Sequence, residues 1–190
     1  MQRRPRGFTL IELMVSVAVM TILLMIAIPS FLDFRERAAV RGAGDELVSF
    51  WANAKLEALK RDRTITVAIR KSGTAMCLGA ATSGTCDCFT ANSCDIDQYP
   101  GAQNEWRGVT MVGQPTLGPT DTDDDGVATI DPKRGYLTVA TDVGGTTVQS
   151  PASNKYRLRF FVDRWGRPYL CMPTNTPSKL PDYGTRECDP

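Results

Sequence analysis

From Phe8 to Leu32 the chain is apolar on every side, with Glu12 as its only charge and Thr9, Ser16, Thr21 and Ser30 as its only other polar side chains. Read as a helix, about 25 residues at about 1.5 Å each reach roughly 37 Å, enough to cross a hydrocarbon core of about 30 Å with some tilt. After Ser30 the composition turns polar but the helical spacing persists. Val40, Ala43, Leu47, Trp51, Ala54 and Ala58 recur at intervals of three and four, with Arg, Glu, Asp and Lys between them. The pattern predicts one helix from Phe8 to Arg61, about 80 Å long, whose second half lies against a β domain. Gly42 and Gly44 weaken that half, each by up to about 1 kcal/mol relative to alanine.

From Thr64 the pattern shifts to short β-branched or alternating runs: Thr64–Arg70, Thr74–Leu78, Arg107–Val112, Gly135–Ala140, Tyr156–Asp163 and Arg167–Met172. Gly, Pro, Asn and Asp separate them. The expected fold class is α+β, a long N-terminal helix packed on a C-terminal antiparallel head of two small sheets or one curled sheet.

Composition narrows the chemistry. The chain has no histidine, which removes Ser-His-Asp and Cys-His nucleophiles, His-based acid/base catalysis and every His-containing metal site. No nucleophile setting surrounds its serines, aspartates or cysteines, so the expectation is a protein without catalytic residues or cofactor. Its six cysteines, Cys77, Cys86, Cys88, Cys94, Cys171 and Cys188, all follow the apolar segment, which suits an oxidising compartment across a membrane. Arg3, Arg4 and Arg6 precede that segment, and the positive-inside rule leaves them in the cytoplasm with the rest exported.

Glu12 is the informative residue. A carboxylate in a bilayer segment costs about 2.5–3.5 kcal/mol on insertion scales and is rarely kept without a partner. The next basic residue downstream is Arg35, more than six turns away. A cut between Gly7 and Phe8 would create an α-amino group four residues before Glu12, and one subunit's amine could then meet another's carboxylate. A cleaved secretory signal is the competing reading. The length of the apolar run, the absence of a small-x-small site at its end and the presence of Glu12 all oppose it.

Gly7-Phe8-Thr9-Leu10-Ile11-Glu12, with a short basic leader and Pro29 at the twenty-second position after the cut, closely resembles the prepilin motif of type IV pilins and type II secretion pseudopilins. The resemblance implies a pilin fold. It also implies cleavage after Gly7 by a prepilin peptidase, N-methylation of Phe8, and assembly through the helix into a pilus or pseudopilus. The implied segments are a leader at 1–7, a membrane and assembly helix at 8–32, its amphipathic continuation at 33–61 and a periplasmic head at 62–190. Removing Arg3, Arg4 and Arg6 leaves 19 basic against 21 acidic side chains, a balance of −2. Implied partners are other pilins or pseudopilins, the peptidase, an inner-membrane assembly platform and, before assembly, membrane lipid. Pro29 lacks a backbone donor and should loosen the helix. The strand Thr64–Val67, the segment Glu105-Trp106-Arg107-Gly108-Val109 and the strand Arg159–Asp163 followed by Gly166-Arg167 resemble the FimT/GspH group, which implies a minor pilin or pseudopilin that caps or primes a tip.

Other constellations in the head carry competing readings. Cys77, Cys86, Cys88 and Cys94 form no CxxC unit, and disulfides suit them better than zinc. Cys86 and Cys88 are expected to reach Cys77 or Cys94, with Cys171 and Cys188 tying down the C-terminal loop. Asp121-Thr122-Asp123-Asp124-Asp125-Gly126 begins like a calcium loop, yet Pro132 stands where the twelfth-position glutamate is required, so it reads as an acidic turn and no metal is expected. Lys155, Arg157 and Arg159 alternate along one predicted strand, with Arg164, Trp165, Arg167 and Tyr169 close behind, a basic and aromatic grouping suited to phosphates and bases. DNA-receptor FimT proteins use a C-terminal Gly-Arg-x-Arg element. Gly166-Arg167-Pro168-Tyr169 lacks its second arginine, so DNA uptake is the alternative rather than the leading function.

Overall fold

The computed structural model describes residues 8–72, 75–99, 109–113, 115–118, 126–139, 142–150, 154–173, 180 and 188. It forms two compact units, residues 1–36 and 37–190. A single helix, α1 (Leu10–Arg61), supplies the described residues of the first unit after Thr9 and the first element of the second. Its start lies two residues inside the expected Phe8, because Thr9 serves as the cap. It stops where Asp62 takes a positive φ of 49°, and Arg63 N–H donates back to the Ala58 carbonyl at 3.3 Å.

In the first unit the described side chains from Phe8 to Leu32 are exposed. In the second, Val40, Ala43, Leu47, Trp51, Ala54 and Ala58 are all buried, so the three-and-four spacing is the core-facing stripe.

Two four-stranded sheets complete the second unit. The strands are β1 (Ile65–Ser72), β2 (Ala75–Ala81), β3 (Asp97–Tyr99), β4 (Thr110–Val112), β5 (Gly126–Ile130), β6 (Gly144–Gln149), β7 (Arg157–Val162) and β8 (Pro168–Cys171). One sheet has the order β3-β2-β1-β5 and the other β4-β6-β7-β8, with every pairing antiparallel. β7 alternates cleanly. Leu158, Phe160 and Val162 point into the core, and Arg157, Arg159 and Phe161 point away from it. Trp51 packs on Phe160 with ring centroids 6.3 Å apart. Inner residues of both sheets join the helix stripe in one hydrophobic cluster.

Gly44 belongs to this packing. A Cβ there would lie 2.6 Å from Leu158 Cδ2 and 3.2 Å from Leu170 Cδ1, whereas one on Gly42 would meet nothing within 4 Å. The helix weakness at Gly44 is what lets β7 and β8 approach closely.

Two expectations need correction. The expected Gly135–Ala140 strand, of which Ala140 lies outside the described residues, is not formed by residues 135–139: Leu137 makes one isolated bridge to Ile130, within a turn closed by Asp131 N–H donating to the Tyr136 carbonyl at 2.8 Å. Lys155 lies before β7 and does not share its register with Arg157 and Arg159. The expected Arg107–Val112 strand is described only as Thr110–Val112; residues 105–108 lie outside the described residues.

Candidate functional site

At the start of α1, Thr9 and Glu12 form a reciprocal cap. Glu12 Oε2 accepts from the Thr9 N–H at 3.0 Å and from its hydroxyl at 2.9 Å, while the Glu12 N–H donates to Thr9 Oγ1 at 3.3 Å. Thr9-Leu10-Ile11-Glu12 fits the Thr-x-x-Glu capping signature, a signal present in the sequence that the reading of Glu12 as partnerless passed over. The cap supplies neutral donors only; among the described residues no cation reaches the carboxylate. Ser16 and Thr21 turn their hydroxyls onto the helix, donating to the carbonyls of Glu12 at 2.7 Å and Ala18 at 2.8 Å. This leaves Glu12 as the one strongly polar group offered by the segment. The helix is continuous through Pro29, whose missing N–H withdraws one ladder bond. Gly7 and the basic residues before it lie outside the described residues.

In the head, disulfides join Cys77 to Cys88, Cys86 to Cys94 and Cys171 to Cys188. The first two interleave in sequence and gather the 82–94 excursion onto β2. Gly79 provides the room, since a Cβ there would lie 2.5 Å from Cys86 Sγ and 2.6 Å from Cys94 Sγ. Two carboxylates brace the same segment. The Thr90 hydroxyl at 2.7 Å and the Phe89 N–H at 3.1 Å hold the Asp87 carboxyl below its usual range. The Thr82 hydroxyl at 2.6 Å, with the Thr82 N–H at 2.9 Å, does the same for Asp95. Asp142 behaves oppositely: it is 4% exposed, and burial pushes its carboxyl up despite the Thr129 N–H at 3.4 Å. The acidic run Asp121–Asp125 lies outside the described residues.

The basic candidates do not form one continuous strip. Arg157 and Arg159 stand on the outward face of β7, where Arg159 donates to Thr116 Oγ1 at 3.1 Å and lies 5.7 Å from the Phe161 ring centre. Arg164 and Arg167 sit in the turn between β7 and β8. Arg167 is ion-paired to Asp163 at 2.9 Å, and Arg164 lies 4.7 Å from the Trp165 ring centre. Lys155 is exposed ahead of the strand.

Residues 2–28 match the prokaryotic N-terminal methylation motif. The methylation motif contains Gly7, Phe8 and Glu12 and ends one residue before Pro29. The chain is 43% identical over 60 residues to the type IV major pilin protein PilA of Myxococcus xanthus (strain DK1622), a stretch of 32% of this chain. The match spans only 27% of that relative's length. The chain is also similar to a solved structure, the type IV minor pilin FimU of Pseudomonas aeruginosa (strain PAO1), at a TM-score of 0.49 and 17% identity, covering 72% of this chain and 91% of that one.

From Leu10 onward the methylation motif lies on a helix long and apolar enough to cross a membrane. Among the described residues the chemistry that segment offers lies in the five residues after Gly7: a terminal amine if the chain is cut before Phe8, and a carboxylate held by the Thr9 cap. The cap aims Glu12 without neutralising it.

Proposed function

We propose that this chain is a minor pilin or pseudopilin of the FimT/GspH type, cut between Gly7 and Phe8, methylated at Phe8, and assembled through α1 into a type IV pilus or type II secretion pseudopilus. The leader-side arginines stay in the cytoplasm, the head is periplasmic, and the subunit contributes association at the filament tip rather than catalysis. One observation carries the reading: Glu12 is the sole charge between Phe8 and Leu32, exposed and without a cation partner among the described residues. The methylation motif around it supplies the means of making that cation. Proteolysis exposes an amine, methylation keeps it charged, and a neighbouring subunit brings it to the carboxylate.

The Thr9 cap provides a clean test. Glu12→Gln retains a side chain able to complete the cap but removes the charge, while Glu12→Ala removes both. Both variants are expected to be inserted and processed, and both to be depleted at least about tenfold from sheared filaments, as loss of one charge-assisted contact of about 1.5–3 kcal/mol requires. Normal incorporation of Glu12→Gln would show that the cap, and not the charge, is what assembly uses, and the proposal would fall.

A further inference from the structure

Two turns in the head share one plan and clasp each other. In the first, the Asp131 carboxylate accepts from the N–H groups of Lys133 and Arg134, both at 2.8 Å, and Gly135 takes a φ of 64°. In the second, the Asp163 carboxylate accepts from the N–H groups of Trp165 and Arg167, both at 2.9 Å, and Gly166 takes a φ of 66°. Each aspartate also donates its own N–H across its turn, to the carbonyls of Tyr136 at 2.8 Å and Arg167 at 3.2 Å. Leu137 N–H donates to the Arg164 carbonyl at 3.4 Å, and a Cβ on Gly166 would come within 2.5 Å of the Gly135 carbonyl oxygen. The helix fastens the pair: Trp51 Nε1 and Lys55 Nζ donate to the Gly166 carbonyl at 3.1 and 3.4 Å.

This construction separates charge. The Asp131 carboxylate holds backbone, and that of Asp163 holds backbone and the Arg167 side chain, while Lys133, Arg134 and Arg164 are exposed and make no ion pair among the described residues. Tyr136 and Trp165 are 39% and 41% exposed, and their rings meet edge to face with centroids 5.1 Å apart. Two large aromatic side chains left this open by a rigid backbone, fringed by unpaired cations, match the residue types that dominate protein interfaces. Their rigidity also lowers the ordering cost of binding.

We propose that this twin-turn surface is the docking face for an acidic segment of a neighbouring protein in the same filament, an inference that rests on the assembly reading above. Charge complementarity selects an anionic partner. Ring geometry favours protein over nucleic acid. Of the four ring faces, the Arg164 guanidinium covers one and the edge-to-face contact takes a second, so the pair is a poor stacking platform for successive bases. An acidic side chain can meet Arg164 while apolar neighbours pack on the rings.

The test places p-benzoylphenylalanine at Tyr136 in the full-length protein in cells, shears and purifies the filaments, and maps the photocrosslink by mass spectrometry. The expected crosslink lies in a net-acidic stretch of another filament subunit. Arg164→Glu, which alters only an exposed side chain, should lower its yield about tenfold, and Trp165→Ala by a similar factor. A compensating acid-to-lysine change in the mapped stretch should restore the yield with Arg164→Glu. A crosslink to a neutral or basic stretch, capture of nucleic acid instead of protein, or a yield insensitive to Arg164→Glu overturns the docking face. If the subunit with native Tyr136 is itself missing from filaments, the assembly reading fails and the docking face with it. If it is present and the crosslink criteria are unmet, only the docking face fails.

Discussion

The two halves of α1 obey the same backbone rules and meet opposite fates. The first is apolar all round, and its described side chains from Phe8 to Leu32 are exposed; the second carries a single stripe, from Val40 to Ala58, that is buried to the last residue. A stripe finds its complement inside the chain, in the inner faces of two sheets. A helix apolar on all sides has no such complement and requires lipid or other helices. The second half is therefore explained by the fold, and the first only by something outside it.

The sharpest way to break this contrast is at Gly7. Replacing it with a bulky residue should leave residues 1–7 attached in essentially all molecules in cells with an active leader peptidase, read by intact mass of membrane-extracted protein; efficient removal would sink the processing reading.

Within the head, Gly79→Ala should be the most damaging small change. The methyl group would collide with the Cys86–Cys94 sulfurs, which have little freedom to move, and overpacking of this kind costs about 1–3 kcal/mol. The loss in Tm, measured in detergent, should shrink when the disulfides are reduced. The two helix glycines should then divide. Gly44→Ala should destabilise by about 1–3 kcal/mol as Leu158 and Leu170 are displaced, while Gly42→Ala should stabilise by up to about 1 kcal/mol. Urea midpoints of the two variants moving in the same direction would contradict the packing described.

The smallest effect concerns Asp142. Burial raises its carboxyl above the ordinary 3.8, so the folded state holds this proton more tightly than the unfolded chain does. Its favourable contribution is complete below about 3.8 and is lost as pH rises through the elevated folded value. Asp142→Asn should therefore be more stable than wild type at neutral pH, with the difference vanishing toward pH 3 in parallel thermal melts. A constant difference across that range would assign the effect to packing instead.

Where periodicity was unbroken, the sequence was legible: the helix, its buried stripe, β1, β2, β7 and β8 all follow from spacing. β3, β5 and β6 were not foreseen. β6 begins Gly144-Gly145, which reads as a turn, yet those glycines are required because a Cβ on Gly145 would lie 1.8 Å from the Phe160 carbonyl oxygen. Gly135–Ala140 failed in the opposite sense. Its alternation is genuine, but Asp131 closes the backbone into a turn before a ladder can form. The candidate sites divide likewise: Glu12 was legible as an isolated charge, whereas the twin turns depend on contacts between residues about 30 positions apart, which no local pattern records.

The crossed bonds Cys77–Cys88 and Cys86–Cys94 have one more consequence. Whichever single peptide bond a protease severs between Cys77 and Cys94, at least one sulfur bridge still spans the gap. A nicked subunit would run as two fragments only under reducing electrophoresis, and otherwise would remain one covalent molecule.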